Sequence, residues 1–218
     1  MIGEKLTIQT THKVAAKSIY KILLPKIIKS NNRYVISIAG ESGCGKTVTA
    51  MALKNVLDKH NLLTKILQQD DYFIRPPATN AQYRQQNINR VGIEEIRLDT
   101  LNKHIFAAVN GVNKIRKPLI VYERDLIQIE ILNLRGTKVV IVEGTYTSIL
   151  EKIDSKIFID MSFKDTKQYR LVRNREIQDN FLESILEIEH KIISSHKVFA
   201  NIIITNDFKV FEVKIIKK

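Results

Sequence analysis

Eight consecutive residues, Gly40-Glu41-Ser42-Gly43-Cys44-Gly45-Lys46-Thr47, follow the apolar run YVISIA and precede a stretch with helical spacing. They match G-x-x-x-x-G-K-[ST], a loop whose successive backbone N–H groups turn toward phosphate oxygens. Gly40, Gly43 and Gly45 supply the backbone freedom, and the helix that starts near Gly45 adds the positive end of its dipole. Lys46 is expected to reach the β- and γ-phosphates, and Thr47 to offer its hydroxyl to Mg²⁺. Ser42, Cys44 and Val48 complete the set expected along the nucleotide. Cys44 is the only cysteine, so an internal disulfide and a cysteine-based zinc site are excluded. Its backbone is expected to matter more than its thiol.

A metal beside Thr47 needs a carboxylate from a neighbouring strand. KVVIVEG ends in Glu143, and TKILQQD ends in Asp70 with Asp71 next to it. In open α/β sheets ligands gather at the carboxyl ends of the strands, so Asp70, Glu143 and the loop are expected to converge there. A carboxylate closing a buried apolar run is poorly explained as core. Thr47, Glu143 and Asp70 are therefore the candidate metal residues.

The chemistry can be narrowed further. No guanine-reading NKxD motif and no LSGGQ-like segment occurs, which argues against a GTPase and a transporter ATPase. A small-molecule kinase needs a base for the acceptor hydroxyl, polar groups to hold the acceptor, and arginines over the transferred phosphoryl group. Asp70 is the candidate base. Residues 72–99 read as the acceptor side, with Asp71, Tyr72, Tyr83 and Arg84 as candidate contacts. KDTKQYRLVRNRE carries Arg170, Arg173 and Arg175; the first two lie three apart and share a helix face.

These residues need a frame. YVISIAG reads as a buried strand and residues 46–60 as a helix. TKILQQD is a second strand, and residues 74–92, with two prolines and many amides, read as a long irregular segment. IEEIRLDTLNKHIFAAVNG reads as a helix ended by Gly111. Residues 118–134 read as a hairpin turning near Arg124 and Asp125. KVVIVEG and SKIFIDM are further strands, followed by helices at 164–176 and 180–198, a core strand in ANIIITND and an edge strand in FKVFEVKI. Residues 11–30 form an N-terminal helix, with Val14, Ile19, Leu23 and Ile27 inward and a kink or break expected at Pro25. The layout is α/β: a three-layer phosphate-loop nucleoside-triphosphatase fold with a mostly parallel sheet, helices on both faces and a small antiparallel hairpin insertion. One domain spans 1–218, with 1–32 as a helical extension.

The chain has 218 residues, 44% hydrophobic and 27% charged, with a net charge of +12. That composition suits one sizeable core and does not suggest disorder. The basic lysines are scattered and no Lys/Arg stripe is interleaved with aromatics, so a nucleic-acid partner is not expected. No apolar run spans a bilayer and no secretory signal opens the chain, so a cytoplasmic protein is the expectation. A homo-oligomer is left open.

Five segments in order, GESGCGKT, QQDDYF, VYERD, VVIVEGTY and FIDMSFKDTKQYRLVRNRE, resemble the uridine kinase and phosphoribulokinase family over residues 33–206. The resemblance implies ATP with Mg²⁺ and transfer of the γ-phosphoryl group to a hydroxyl of a small-molecule acceptor such as a nucleoside. It makes Asp70 the base, sets Glu143 near the metal, puts Arg170, Arg173 and Arg175 in the lid region, and sets Tyr122 at the nucleobase. The chain also departs from the family. Uridine kinases carry N-[FY]-D-H-P, whereas NINRVGIEEIRLD stands here, with Asp99 or Glu94 as the acids at hand. The histidine that reads the pyrimidine is replaced by ERDLIQIE. A pantothenate or sugar-phosphate acceptor, or a non-catalytic nucleotide-binding or nucleic-acid-associated regulatory role, stays open.

Overall fold

Strands buried on both faces read as near-continuous apolar runs, and the central strands of this chain do so. The computed structural model describes residues 7–173 and 179–213. The first half of the chain contributes α1 (Thr10–Lys29), β1 (Tyr34–Gly40), α2 (Lys46–Lys59), β2 (Thr64–Gln68), α3 (Pro77–Gln86) and α4 (Leu98–Val109). The second half contributes β3 (Lys114–Val121), β4 (Leu126–Asn133), β5 (Val139–Glu143), β6 (Ser155–Ile159), α5 (Lys167–Arg173), α6 (Asn180–Ile193), β7 (Ile202–Ile204) and β8 (Val210–Glu212). The sheet runs β2-β5-β1-β6-β7-β8, with β3-β4 as a separate ribbon. All pairs in the sheet are parallel except β7 with β8.

The two-residue period of β1 sorts its side chains into two cores. Tyr34, Ile36 and Ile38 face α1 and α2 together with Ile141, Ile159 and Ile204. Val35 and Ala39 face the other layer, with Leu101 and Ile105 of α4 and Ile193 of α6. The three-layer architecture is as expected, and the phosphate loop leaves β1 at the centre of the sheet.

Two local expectations are corrected. Pro25 does not break α1, which is continuous to Lys29. Pro25 lies on the exposed face of α1, where solvent can satisfy the carbonyl freed by the missing N–H. The buried stripe is His12, Ala15, Ala16, Ile19, Leu23 and Ile27, whereas Val14 is 57% exposed. The second correction is at 74–92, where α3 forms. Pro77 presets the first turn, and Asp125 of the hairpin turn accepts from Ala78 N at 2.6 Å and Thr79 N at 3.0 Å. The helix cap comes from another part of the chain, so the segment itself carries no capping signal.

A buried ion pair also ties the hairpin to the body. Lys117 Nζ lies 2.7 Å from Asp71 Oδ2, with the side chains only 3% and 2% exposed. Ile120 N also donates to Asp71 Oδ1 at 3.1 Å. Removing one partner strands a buried charge. Lys117→Met is therefore expected to lower the unfolding free energy by about 3–5 kcal/mol, read from the midpoint of a urea titration. A midpoint within error of the parent would mean that Asp71 is not the anchor.

Candidate active site

The phosphate loop is shaped by what packs against it. Gly43 has φ +80°, and a Cβ there would lie 2.8 Å from Arg170 Cγ. Gly40, at φ +149°, has the carbonyl of Ile159 2.9 Å from where a Cβ would sit. Both positions therefore require glycine for conformation and for space. Thr166 donates its hydroxyl to Ser42 O at 2.8 Å, so the segment entering α5 lies on the loop. Gly45 is the residue before α2, in the left-handed region, and Val48 lies in that helix's first turn. Cys44 is buried, and burial pushes its thiol pKa up, so its side chain is packing rather than chemistry.

Glu41 occupies a free position of the motif, and the sequence reading assigned it nothing. It is buried: its Oε2 accepts from Phe163 N at 2.6 Å and its Oε1 lies 2.7 Å from His190 Nδ1. The loop is thereby tied to the segment before α5 and to α6. Lys46 Nζ donates to Glu41 O at 2.8 Å.

On the β5 side the expected acids converge. Thr47 Oγ1 donates to Glu143 Oε1 at 3.2 Å, and Gln68 Nε2 donates to the same oxygen at 3.2 Å. Asp70 stands in a single 3-10 turn, Gln69–Tyr72, just beyond β2. Glu143 is pushed up to about 7, first by burial and then by the Asp70 carboxylate, while Lys46 pulls the other way. Two carboxylates that oppose each other's ionisation, beside a hydroxyl, suit a divalent cation completed by nucleotide phosphates. Thr47, Glu143 and Asp70 thus fit Mg²⁺.

The other expected residues are dispersed. Asp71 turns to Lys117 and the hairpin. Tyr72 is wholly buried and shares a hydrogen bond of 2.8 Å with His104 Nδ1; burial, then Asp71, holds its phenol above the usual tyrosine range. Tyr83 lies between the guanidinium groups of Arg75 and Arg90, 3.4 and 3.8 Å from its ring centroid. Arg84 bonds both oxygens of Glu95, at 2.7 and 2.8 Å, and reaches Glu189 of α6 at 3.3 Å. Tyr122 opens the turn between β3 and β4 and is half-buried.

Of the lid arginines, Arg170 is buried over the loop and donates to Phe163 O at 2.5 Å and to Thr166 Oγ1 at 2.6 Å. Arg173 ends α5, with its side chain outside the described residues, and Arg175 lies outside them altogether. The buried acid of the acceptor-side segment is Glu95, not Glu94 or Asp99. It accepts a hydrogen bond from Gly92 N at 2.9 Å.

The comparisons with known proteins show the family and the fold. The sequence model of the Phosphoribulokinase / Uridine kinase family matches residues 35–205. The chain is 28% identical over 197 residues to the bifunctional alpha-galactosidase/sucrose kinase AgaSK of Mediterraneibacter gnavus; the match covers 84% of the chain and 21% of that protein's length. It is 27% identical over 198 residues to a uridine kinase of Bacillus cytotoxicus, covering 80% of the chain and 86% of that protein. The structure of a possible uridine kinase from Bacillus stearothermophilus superposes with a TM-score of 0.64 at 16% identity, covering 88% and 97% of the two chains. No helix among the described residues is long and apolar enough to cross a membrane.

Proposed function

Because the chain belongs to the phosphoribulokinase and uridine kinase family, we propose that it transfers the γ-phosphoryl group of ATP to one hydroxyl of a nucleoside or related sugar. The observation that carries this reading is the convergence of Asp70 and Glu143, at neighbouring strand ends, on Lys46 and Thr47 of the phosphate loop. A bare phosphate loop serves many chemistries. A second carboxylate on the acceptor side of the metal residues serves transfer to a hydroxyl.

In this reading the loop amides and the α2 N-terminus hold the β- and γ-phosphates, with Lys46 beside them. Mg²⁺ held by Thr47, Glu143 and Asp70 would neutralise charge between those phosphates. Asp70 accepts the proton of the acceptor hydroxyl as its oxygen bonds to the γ-phosphorus. The bond from that phosphorus to the β–γ bridging oxygen breaks, and ADP leaves. Arg170, with Arg173 and Arg175 beyond it, is the candidate cover for the phosphoryl group in transit. Little covalent work falls to the protein; it positions groups and stabilises charge.

Within that class, the sucrose kinase relative favours a free sugar over a nucleoside. The test is Mg·ATP with a panel of nucleosides, free sugars, pantothenate and sugar phosphates, following ADP release. Release that depends on one class of acceptor is the expected result. Nucleotide hydrolysis indifferent to every acceptor would leave a nucleotide-binding protein that is no kinase.

A further inference from the structure

Two consecutive residues of α6 reach opposite halves of the site. Successive helix residues project about 100° apart, so Glu189 and His190 meet different neighbours. His190 Nδ1 lies 2.7 Å from Glu41 Oε1 in the phosphate loop. Glu189 Oε1 lies 3.3 Å from Arg84 Nη2 in α3. A carboxylate only accepts, so the proton shared with Glu41 is carried by His190 Nδ1.

Each tie is reinforced on its own side. On the donor side, the other oxygen of Glu41 accepts from Phe163 N at 2.6 Å, and Phe163 packs with Leu182 and Leu186 of α6. The loop and the helix are therefore joined twice. On the acceptor side, Arg84 runs from Glu189 to both oxygens of Glu95. The backbone there continues the connection: Ile74 N donates to Glu95 O at 2.8 Å, and Arg97 N donates to Tyr72 O at 2.8 Å. Tyr72 closes the 3-10 turn that carries Asp70. At its far end α6 is anchored by Ile193, buried in the core with Leu101 and Ile105 of α4.

The sheet by itself fixes only the strand ends. β5 lies between β1 and β2, and the phosphate loop and residues 72–99 both lie beyond those ends. Transfer needs the reacting atoms about 3–3.5 Å apart, and a misplacement of about 1 Å costs about 10²-fold. The side-chain ties through α6 join the two irregular segments whose separation sets that distance.

We propose that Glu189 and His190 are positioning residues, and that α6 is a strut setting the separation of the donor and acceptor halves. It acts through Glu41 on one side and Arg84 on the other. This rests on the kinase reading above.

The test uses the full chain with Mg·ATP and the acceptor that turns over in the panel above. The parent is compared with His190→Leu, Glu189→Ala, the double variant and His190→Asn. Each of the first two is expected to lower kcat by about 10–10²-fold, with the Kd for ATP and the Tm within error of the parent. A strut cut at one end is not cut further at the other, so the double variant falls no lower than the worse single variant. His190→Asn keeps an N–H near the position of Nδ1 and retains most of the rate. Independent structural contacts behave differently: a double-variant loss equal to the product of the two single losses overturns the proposal. Parental kcat in either single variant overturns it too, as does a fall in Tm or ATP affinity that accounts for the lost rate. An Asn variant as slow as the Leu variant overturns the assignment of His190. A parent with no acceptor-dependent ADP release overturns the kinase reading, and this one with it.

Discussion

Asp70→Asn leaves ATP binding intact and lowers acceptor phosphorylation by about 10²–10⁴-fold, the usual contribution of a positioned general base. The substitution keeps the shape of the side chain in the 3-10 turn beyond β2 and removes its capacity to take a proton. A role confined to the base predicts a fall in kcat with ATP affinity, measured by nucleotide titration, held constant. Asp70 also faces Glu143, so a role in holding Mg²⁺ has its own signature. In that case activity returns as Mg²⁺ is raised. Recovery of most of the rate at high Mg²⁺ would move Asp70 from the proton to the metal, and full activity at ordinary Mg²⁺ would remove it from the chemistry.

Lys46→Met has the second largest effect. An ammonium group placed at the phosphates stabilises charge that shifts toward the bridging oxygen during transfer, and losing one such group costs about 10²–10³-fold in kcat. ATP binding weakens as well, because the same charge meets the ground-state phosphates. Lys46→Arg is expected not to restore the rate, because a planar guanidinium is larger and its charge more spread than a compact ammonium. The loop leaves little space for it: Arg170 covers Gly43 and the carbonyl of Glu41 already receives the lysine. Wild-type turnover by Lys46→Met would show that the loop binds nucleotide without taking part in transfer.

The donor half of the site was legible from the sequence because its parts are local. Eight contiguous residues carry the phosphate loop, and the strand before and helix after it are periodic over short windows. Glu143 and Asp70 were legible for a related reason: a carboxylate closing an apolar run has few other uses, and parallel strands bring such ends together. The acceptor half was much less so. Asp71 and Tyr72 sit beside the base in sequence, yet in successive residues of a tight turn the side chains diverge. Asp71 was drawn to the buried Lys117 and Tyr72 to His104. α3 was missed: Pro77 at its first turn is a local start signal, but its cap, Asp125, comes from the hairpin.

Residue type and spacing alone thus determined the α/β order of elements, the phosphate loop with Lys46 and Thr47, and the acids that meet it. Those properties depend on neighbours within a few residues or on the common direction of parallel strands. Only the tertiary structure decided which acid of the acceptor segment is buried, Glu95 rather than Glu94 or Asp99, and that Glu41 and His190 tie the loop to α6. It also decided that Asn80 and Arg84 of α3 both meet Glu95. Burial and pairing between residues so far apart in sequence are set by how the layers pack, and no local pattern encodes them.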